Sequence, residues 1–217
     1  MKIQIAGIRN LEDALMCAEL GADSIALLAG QKHESKDFIT KELAKQIVLK
    51  LPIFCSTVLI THLEEAGQII KLAKFIGVNA VQIHSNVKDT VAQKVRSKLP
   101  FVKIIRLIHI DEGGEILSNL AELTTADCYI TDSINKKTGQ VGGTGLMHNL
   151  ATDAKLVKEL NKPVIIAGGL TPENVAQAIQ KVKPYAIDVN SGLKNPQGFK
   201  DKIKVKKFVQ NARAALK

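Results

Sequence analysis

The stretch that decides the fold is Pro163–Leu170, with the sequence PVIIAGGL, together with Ala186–Gly192, with the sequence AIDVNSG. Each is a short apolar run that stops abruptly at glycine, the pattern of a buried parallel strand whose following loop lies against a ligand. Two such strands with a helix between them are typical of a (β/α)8 barrel, where the loops after strands 7 and 8 bind phosphate. A third glycine cluster, Gly142–Gly145, precedes them. Together the clusters predict a phosphorylated small molecule as ligand.

Strand and helix patterns alternate along the whole chain without a linker or a change of composition. Alternating units imply parallel strands joined by right-handed crossovers, and eight of them predict a single (β/α)8 TIM barrel domain over residues 1–217. The alternative is an open doubly wound sheet, but no GxGxxG motif follows the first strand. One of the helices is expected at Glu112–Leu123. The predicted strands are Lys2–Ala6, Ser24–Ala29, Ile53–Ile60, Ala80–His84, Val102–Ile108, Cys128–Thr131, Val164–Ala167 and Ala186–Val189.

Alternation along the strands predicts which residues point into the barrel. Gln4 and Ala6 share one face of strand 1, Asp132 lies on the corresponding face of strand 6, and Asp188 and Asn190 share a face of strand 8. The opposite faces are apolar and should pack on helices. A polar inner face is unusual for a packing core, so the pattern indicates a site at one end of the barrel.

Composition limits the class of protein. The 217 residues are 46% hydrophobic, no apolar run reaches the roughly 18–20 residues that span a membrane, and the N-terminus resembles a strand rather than a signal peptide. The three cysteines, Cys17, Cys55 and Cys128, lack metal-type spacing, which is typical of buried thiols in a reducing compartment. We therefore expect a cytoplasmic protein without a membrane partner.

The formal net charge is +9, and lysines crowd the segment from Lys200 to Lys207. Aromatic residues make up only 4% of the chain and no nucleic-acid-binding motif accompanies the charge, so these lysines are expected to form the solvated face of a last helix. We expect no nucleic-acid partner. A basic surface would still favour capture of an anionic phosphate ester.

Seven segments, in this order and spacing, resemble the phosphoribosylanthranilate isomerase family of tryptophan synthesis. They are GIRNLEDAL (7–15), GADS (21–24), AVQIH (80–84), TDS (131–133), GGTG (142–145), AGGLTPENV (167–175) and DVNSG (188–192). The resemblance implies an Amadori rearrangement of an N-linked aldose 5-phosphate into a 1-amino-1-deoxyketose phosphate. In that reaction an acid protonates the ring oxygen to open the sugar, and a base removes the C2 proton of the resulting Schiff base.

The resemblance also assigns residues. It places the acid on Asp132, at the carboxyl end of strand 6, where barrel catalysts lie. It requires no cofactor or metal, and we expect a monomer or a homodimer. The residues expected to bind phosphate and substrate are Gly143, Thr144, Gly145, Gly168, Gly169, Asn190, Ser191 and Gly192.

Three departures from the family pattern affect the catalytic base and the part of the site that would bind the anthranilate group. The family's catalytic cysteine is replaced by Ala6, and alanine cannot move a proton, so family activity is expected to be weak or absent unless another base acts. His84 is the first candidate and His33 the second. The arginine that holds the anthranilate carboxylate is replaced by Asp37, an acid expected to repel it. A lysine and an aromatic-acidic motif are replaced by Leu146–Asn149.

Three histidines fall at the ends of consecutive strands, namely His62, His84 and His109. Such a trio could bind a metal ion. However, His84 lies where the metal-free family also has histidine, and alternation puts His109 and Arg106 on opposite faces of strand 5. The pattern therefore argues against a metal site at these histidines.

Three functions remain open. The first is the family isomerisation, acting on phosphoribosylanthranilate or a related sugar phosphate. The second is another isomerase or epimerase reaction on a sugar phosphate, and the third is non-catalytic binding of a phosphate ester. Loss of the base at Ala6 favours the second and third, whereas retention of Asp132 favours the first two. The extent of the resemblance puts the first ahead.

Overall fold

The computed structural model describes residues 1–31, 36–111, 113–134 and 150–215. Eight parallel strands close into a barrel in which each strand pairs with the next along the chain and the eighth pairs with the first. The strands are β1 (Lys2–Ala6), β2 (Ser24–Leu28), β3 (Ser56–Thr61), β4 (Ala80–Ile83), β5 (Lys103–Asp111), β6 (Cys128–Ile134), β7 (Val164–Ile166) and β8 (Ala186–Val189). The predicted (β/α)8 barrel is confirmed, and the open-sheet alternative is wrong.

Helices surround the barrel. Those in the described ranges are α1 (Leu11–Glu19), α2 (Lys41–Lys50), α3 (Ala66–Ile76), α4 (Asp89–Lys98), α5 (Leu150–Glu159), α6 (Val175–Val182) and α7 (Lys202–Ala214). Side-chain caps fix where several begin: Asn10 Oδ1 accepts the Asp13 N–H at 2.6 Å, and Asp201 Oδ1 accepts the Lys204 N–H at 3.0 Å. None of these helices is long and apolar enough to cross a membrane.

Both faces of the strands are largely apolar because a parallel barrel is covered on both, although the inner face also carries buried amide and carboxyl side chains. The outward residues, such as Ile3, Ile5 and Val81, pack with the helices in one large core. The inward residues form a separate inner cluster that includes Ala6, Ile130 and other branched or small side chains. The predicted division between inward and outward faces is therefore confirmed.

The expected helix at 112–123 is wrong. Strand β5 continues to Asp111, and the chain then folds back so that Ile110 and Ile116 form an antiparallel bridge. Gly114, at φ 89°, makes the turn, and Asp111 Oδ1 accepts the Glu115 N–H at 2.7 Å. A left-handed glycine and a local side-chain acceptor favour a turn over a helix, and only a 3₁₀ turn, Leu120–Glu122, follows.

Strand β3 begins at Ser56, later than the predicted Ile53. The Cys55 N–H donates to the Pro52 carbonyl at 2.9 Å, so a turn precedes the strand. Ile53 and Phe54 are 90% and 95% exposed in that turn. These apolar side chains precede a strand and so lie at the amino end of the barrel, opposite the carboxyl ends.

An ion pair ties β5 to α4 outside the barrel. The Arg106 guanidinium is 1% exposed, lies 3.2 Å from Asp89 Oδ1 and donates to the Val87 carbonyl at 2.8 Å. Burial opposes ionisation of Asp89, but hydrogen bonds from Thr124 and Thr125 outweigh it and lower the pKa of this carboxyl. The stabilisation is therefore complete above the ordinary Asp pKa of about 3.9 and is lost as the pH falls through the lower folded value.

We predict that Asp89→Ala lowers the free energy of unfolding by about 3–5 kcal/mol, because it leaves the Arg106 guanidinium buried without its counter-charge. Urea denaturation measures this loss. Glu173→Ala is the matched control, since it removes an ion pair to Lys207 in which both side chains are more than half exposed, and such pairs contribute little. Equal losses in the two variants would contradict the assignment.

Candidate functional site

The carboxyl ends of the strands form the mouth of the barrel, and Asp132 lies there. It follows Ile130 by two residues on β6, so both share the inward face, and Asp132 is half-buried where the inner cluster ends. Its Oδ1 accepts the Ser133 N–H at 2.8 Å, which orients the carboxylate. The register places it beside His109 of β5. Asp132 thus occupies a strand-end position suited to acid–base chemistry.

A second carboxylate, Asp188 of β8, lies within the barrel. It is 8% exposed and in register with Gln4 of β1. Burial raises the pKa of Asp188 to about 7, and the charge of Asp132 acts in the same direction, whereas a hydrogen bond from Gln4 and the charge of Lys200 oppose the rise. Its buried Oδ1 accepts no hydrogen bond from the described residues. Sequence reasoning placed Asp188 on the inward face but did not select it as a site residue.

A chain of side-chain amides crosses the interior and ends at His84. Ser24 Oγ donates to Gln4 Oε1, and Gln4 Nε2 donates to Gln82 Oε1, both at 3.4 Å. Gln82 Nε2 then lies 3.3 Å from His84 Nδ1. With the amide nitrogen facing Nδ1, the neutral His84 ring accepts there and carries its proton on Nε2.

The other two strand-end histidines have different surroundings. The His62 and His84 rings meet edge to face with centroids 4.7 Å apart. His109 Nδ1 lies 3.3 Å from Ser118 Oγ, and burial lowers the pKa of His109, which favours the neutral ring. Among the described residues, no group of three His, Cys, Asp or Glu side chains is arranged to hold a metal ion.

The glycine loops after β7 and β8 are brought together. Gly168 and Gly169 adopt φ values of 88° and 65°, a region that favours glycine. A Cβ atom on Gly192 would lie 2.0 Å from the Leu170 carbonyl oxygen, so the two loops touch through their backbones. Ser191 is exposed beside this contact, at the start of a 3₁₀ turn. Backbone turns of this type can present N–H groups to an anion.

Asn174 fixes the first of these loops. Its Oδ1 accepts the Thr171 N–H at 2.8 Å, and its Nδ2 donates to the Gly169 carbonyl at 2.9 Å. These two hydrogen bonds of Asn174 therefore set the shape of the loop after β7. Helix α6 begins directly after it, at Val175.

Asp37 and Asn190 meet at the rim between β1 and β8. Asn190 Nδ2 donates to Asp37 Oδ2 at 2.9 Å, and Lys194 Nζ lies 2.6 Å from the same carboxylate oxygen. Gly7 makes the contact possible, because a Cβ there would lie 2.1 Å from Asn190 Oδ1. The negative charge of Asp37 is thus balanced by Lys194, which weakens the repulsion of a carboxylate expected from the sequence. The Asn190 side chain thus links the segment that follows β8 to the segment that follows β2.

Lys200 corrects the expectation of a fully solvated lysine segment. It is 4% exposed, and its Nζ donates to the Asn190 carbonyl at 2.9 Å and to Asn190 Oδ1 at 3.0 Å. Burial lowers the pKa of Lys200 to about 8. Nothing in a lysine-rich sequence distinguishes this residue from its solvated neighbours, so only the folded chain reveals its role.

Several predicted site residues lie outside the described part of the chain. They are Gly143, Thr144 and Gly145 of the third glycine cluster, His33, and the segment 146–149. The loops after β7 and β8, Asp132 and His84 are described and share the mouth end of the barrel.

Comparison with known proteins connects this site to a family. The family model of N-(5'-phosphoribosyl)anthranilate (PRA) isomerase matches residues 3–211. A Methanosarcina mazei protein named N-(5'-phosphoribosyl)anthranilate isomerase 2 is 44% identical over 213 residues, covering 98% of this chain and 94% of the relative.

Two solved structures are similar over 99% of both chains. One is a phosphoribosylanthranilate isomerase in complex with reduced 1-(o-carboxyphenylamino)-1-deoxyribulose 5-phosphate, with a TM-score of 0.76 and 28% identity. The other contains monomers generated from the dimeric Thermotoga maritima enzyme, with a TM-score of 0.78 and 27% identity. Because the family match extends over nearly all of the sequence, the chain belongs to the N-(5'-phosphoribosyl)anthranilate isomerase family.

Proposed function

We propose that this chain, as one barrel domain over residues 1–217, isomerises N-(5'-phosphoribosyl)anthranilate to 1-(o-carboxyphenylamino)-1-deoxyribulose 5-phosphate. The observation that carries the proposal is the family match over residues 3–211, together with a relative of the same name at 44% identity. The reaction moves hydrogen within one molecule, so it needs no redox cofactor. Asp132 at the mouth supports this assignment.

The first step is ring opening. Asp132 protonates the ring oxygen of the ribose, the bond from C1 to that oxygen breaks, and the anilino nitrogen lone pair forms a Schiff base. Removal of the C2 proton then gives an enolamine, which becomes the aminoketose when C1 gains a proton and the C2 hydroxyl loses one. General acid–base steps of this kind contribute about 10²–10⁴-fold each. Asp132 therefore carries the first proton transfer.

The phosphate and the carboxylate of the substrate would bind at different places on the mouth. The touching loops that contain Gly169 and Gly192 suit the phosphate, because their backbones turn tightly at the mouth. At the rim, Lys194 contacts the carboxylate of Asp37, and Lys200 donates to the neighbouring Asn190. Lysine side chains at this rim are compatible with a substrate that carries a phosphate and a carboxylate.

A second candidate function is a different sugar-phosphate isomerisation or epimerisation, or phosphate-ester binding alone. Ala6 is the observation that favours it, since the family's base is missing there. Turnover of phosphoribosylanthranilate by the purified protein distinguishes the candidates. Binding of the substrate without conversion would support the candidate function of phosphate-ester binding alone.

We also propose a cytoplasmic location and a monomeric or homodimeric state. All three cysteines are buried free thiols, which suits a reducing compartment. The dimeric Thermotoga maritima relative supports a dimer, and the monomers generated from it support a folded single chain.

We predict that the native protein converts phosphoribosylanthranilate and that Asp132→Asn lowers kcat by about 10²–10⁴-fold, because the ring oxygen loses its proton donor. Chromatographic detection of the aminoketose measures the rate. Asp127→Asn, directly before the amino end of the same strand, is the matched control and should retain activity. An active Asp132→Asn variant would refute the role given to this residue.

Gly192→Ala should weaken binding of inorganic phosphate by about tenfold or more. The added methyl group would overlap the Leu170 carbonyl, and overpacking of this kind costs about 1–3 kcal/mol, which pushes the two loops apart. Calorimetric titration measures the affinity. The control is Gly67→Ala, where a Cβ meets nothing within 4 Å in α3; it should leave phosphate binding unchanged. Equal affinities in both variants would argue against a phosphate site here.

A further inference from the structure

The proposed reaction needs a base for the C2 proton, and Ala6 cannot supply one. The chain's cysteines do not replace it: burial raises the pKa of Cys55 to about 11 and those of Cys17 and Cys128 to about 12, so all three remain thiols at neutral pH. The base must therefore be another group near the mouth.

We infer that Asp188 is the general base that removes the C2 proton in this chain, a role that rests on the proposed isomerase function. Asp188 pairs in register with Gln4, and Ala6 is the next inward residue of β1 above Gln4. Ala6 and Asp188 therefore lie on neighbouring strands at adjoining inward positions. A carboxylate from β8 stands beside the place that lacks a proton acceptor on β1.

The surroundings of Asp188 support a role beyond packing. Its side chain is 92% buried, yet Oδ1 accepts no hydrogen bond from the described residues. A buried carboxylate oxygen without a donor is costly, and such groups in native proteins call for an explanation. An acceptor position kept for the substrate provides one.

The electrostatic setting also suits a base. Burial, and to a smaller extent the charge of Asp132 on β6, disfavour ionisation of Asp188, whereas Gln4 from β1 and Lys200 from the segment before α7 stabilise the ionised carboxylate. The balance leaves the pKa of Asp188 near neutrality, where a general base is most effective. Two interacting carboxylates in different environments are a common means of obtaining one acid and one base.

His84 is less suited to the same task. Its Nδ1 faces the Gln82 amide nitrogen at 3.3 Å, and in that arrangement the ring proton is on Nε2. A neutral histidine in this tautomer donates a hydrogen bond from Nε2 and does not accept a proton there. His84 is therefore better placed to position the substrate by donating a hydrogen bond.

The proton balance is complete with the two carboxyl groups. After Asp132 has given its proton to the ring oxygen, the C2–H bond of the Schiff base breaks. That proton goes to Asp188, and the electron pair forms the C1–C2 double bond while the imine electrons return to nitrogen. The enol hydroxyl at C2 then gives its proton to Asp132, and Asp188 gives its proton to C1. Both residues end as they began.

Removing the carboxylate of Asp188 on β8 and supplying a thiol at position 6 of β1 tests the inference. We expect Asp188→Asn to lower kcat/KM by about 10²–10⁴-fold, with melting temperature and binding of the reduced aminoketose analogue retained. Adding Ala6→Cys to Asp188→Asn should recover at least about tenfold of this loss, because the thiolate supplies a base on β1. The acidic limb of the kcat/KM profile should move from about 7 in the native protein to the thiol value of about 8.5 in the double variant.

Several outcomes would overturn the inference while leaving the proposed function intact. One is an Asp188→Asn variant within tenfold of native activity. Another is an active Ala6→Cys protein that loses its activity when Asp188→Asn is added. A third is His84→Gln losing as much activity as Asp188→Asn and being rescued by Ala6→Cys. An inactive native protein would instead reject the proposed function and this inference together.

A second variant decides the matter if Asp188→Asn fails to fold or Ala6→Cys is itself inactive. Asp188→Ala leaves a space where the carboxylate stood, and added formate should restore turnover in proportion to its concentration. Acetamide, which is neutral, serves as the control and should not. Absence of formate rescue in a folded Asp188→Ala protein would overturn the inference.

Discussion

Pairing of β8 with β1 is the constraint on which the site depends. It places Asp188 in register with Gln4 and gathers the carboxyl ends of all eight strands at one rim. Asp37, near the start of the chain, thereby meets Lys194, near its end. If the sheet were open, β1 and β8 would be separate edges and neither contact could form.

Close backbone approaches hold this rim together. Gly7 allows the Asn190 side chain to lie against β1, and Gly192 allows the loop after β8 to touch the loop after β7. At both positions a methyl group would overlap polar atoms, and at Gly7 the positive φ of 68° also favours glycine. Loops held in this way can offer a fixed anion site without long side chains.

The mouth of the barrel carries both acidic and basic side chains. The charge of Asp132 acts on Asp188, and Lys194, Lys200 and Asp37 interact electrostatically near the end of β8. Burial raises the pKa of Asp188 and lowers that of Lys200, so both pKa values move toward neutral pH. The same burial that disfavours charge brings acid and base groups into the pH range in which they can exchange protons.

The sequence by itself determined the barrel, the strand order and the inward position of Asp132, because alternation and glycine-ended apolar runs are local patterns. Local patterns misplaced the helix at 112–123, where a glycine turn folds the chain back on β5. They also could not distinguish Lys200 from its solvated neighbours. Only the tertiary structure decided that Lys200 is buried against Asn190 and that Asp188 is desolvated within reach of the charge of Asp132, since both depend on how the strands and the segments that follow them pack together.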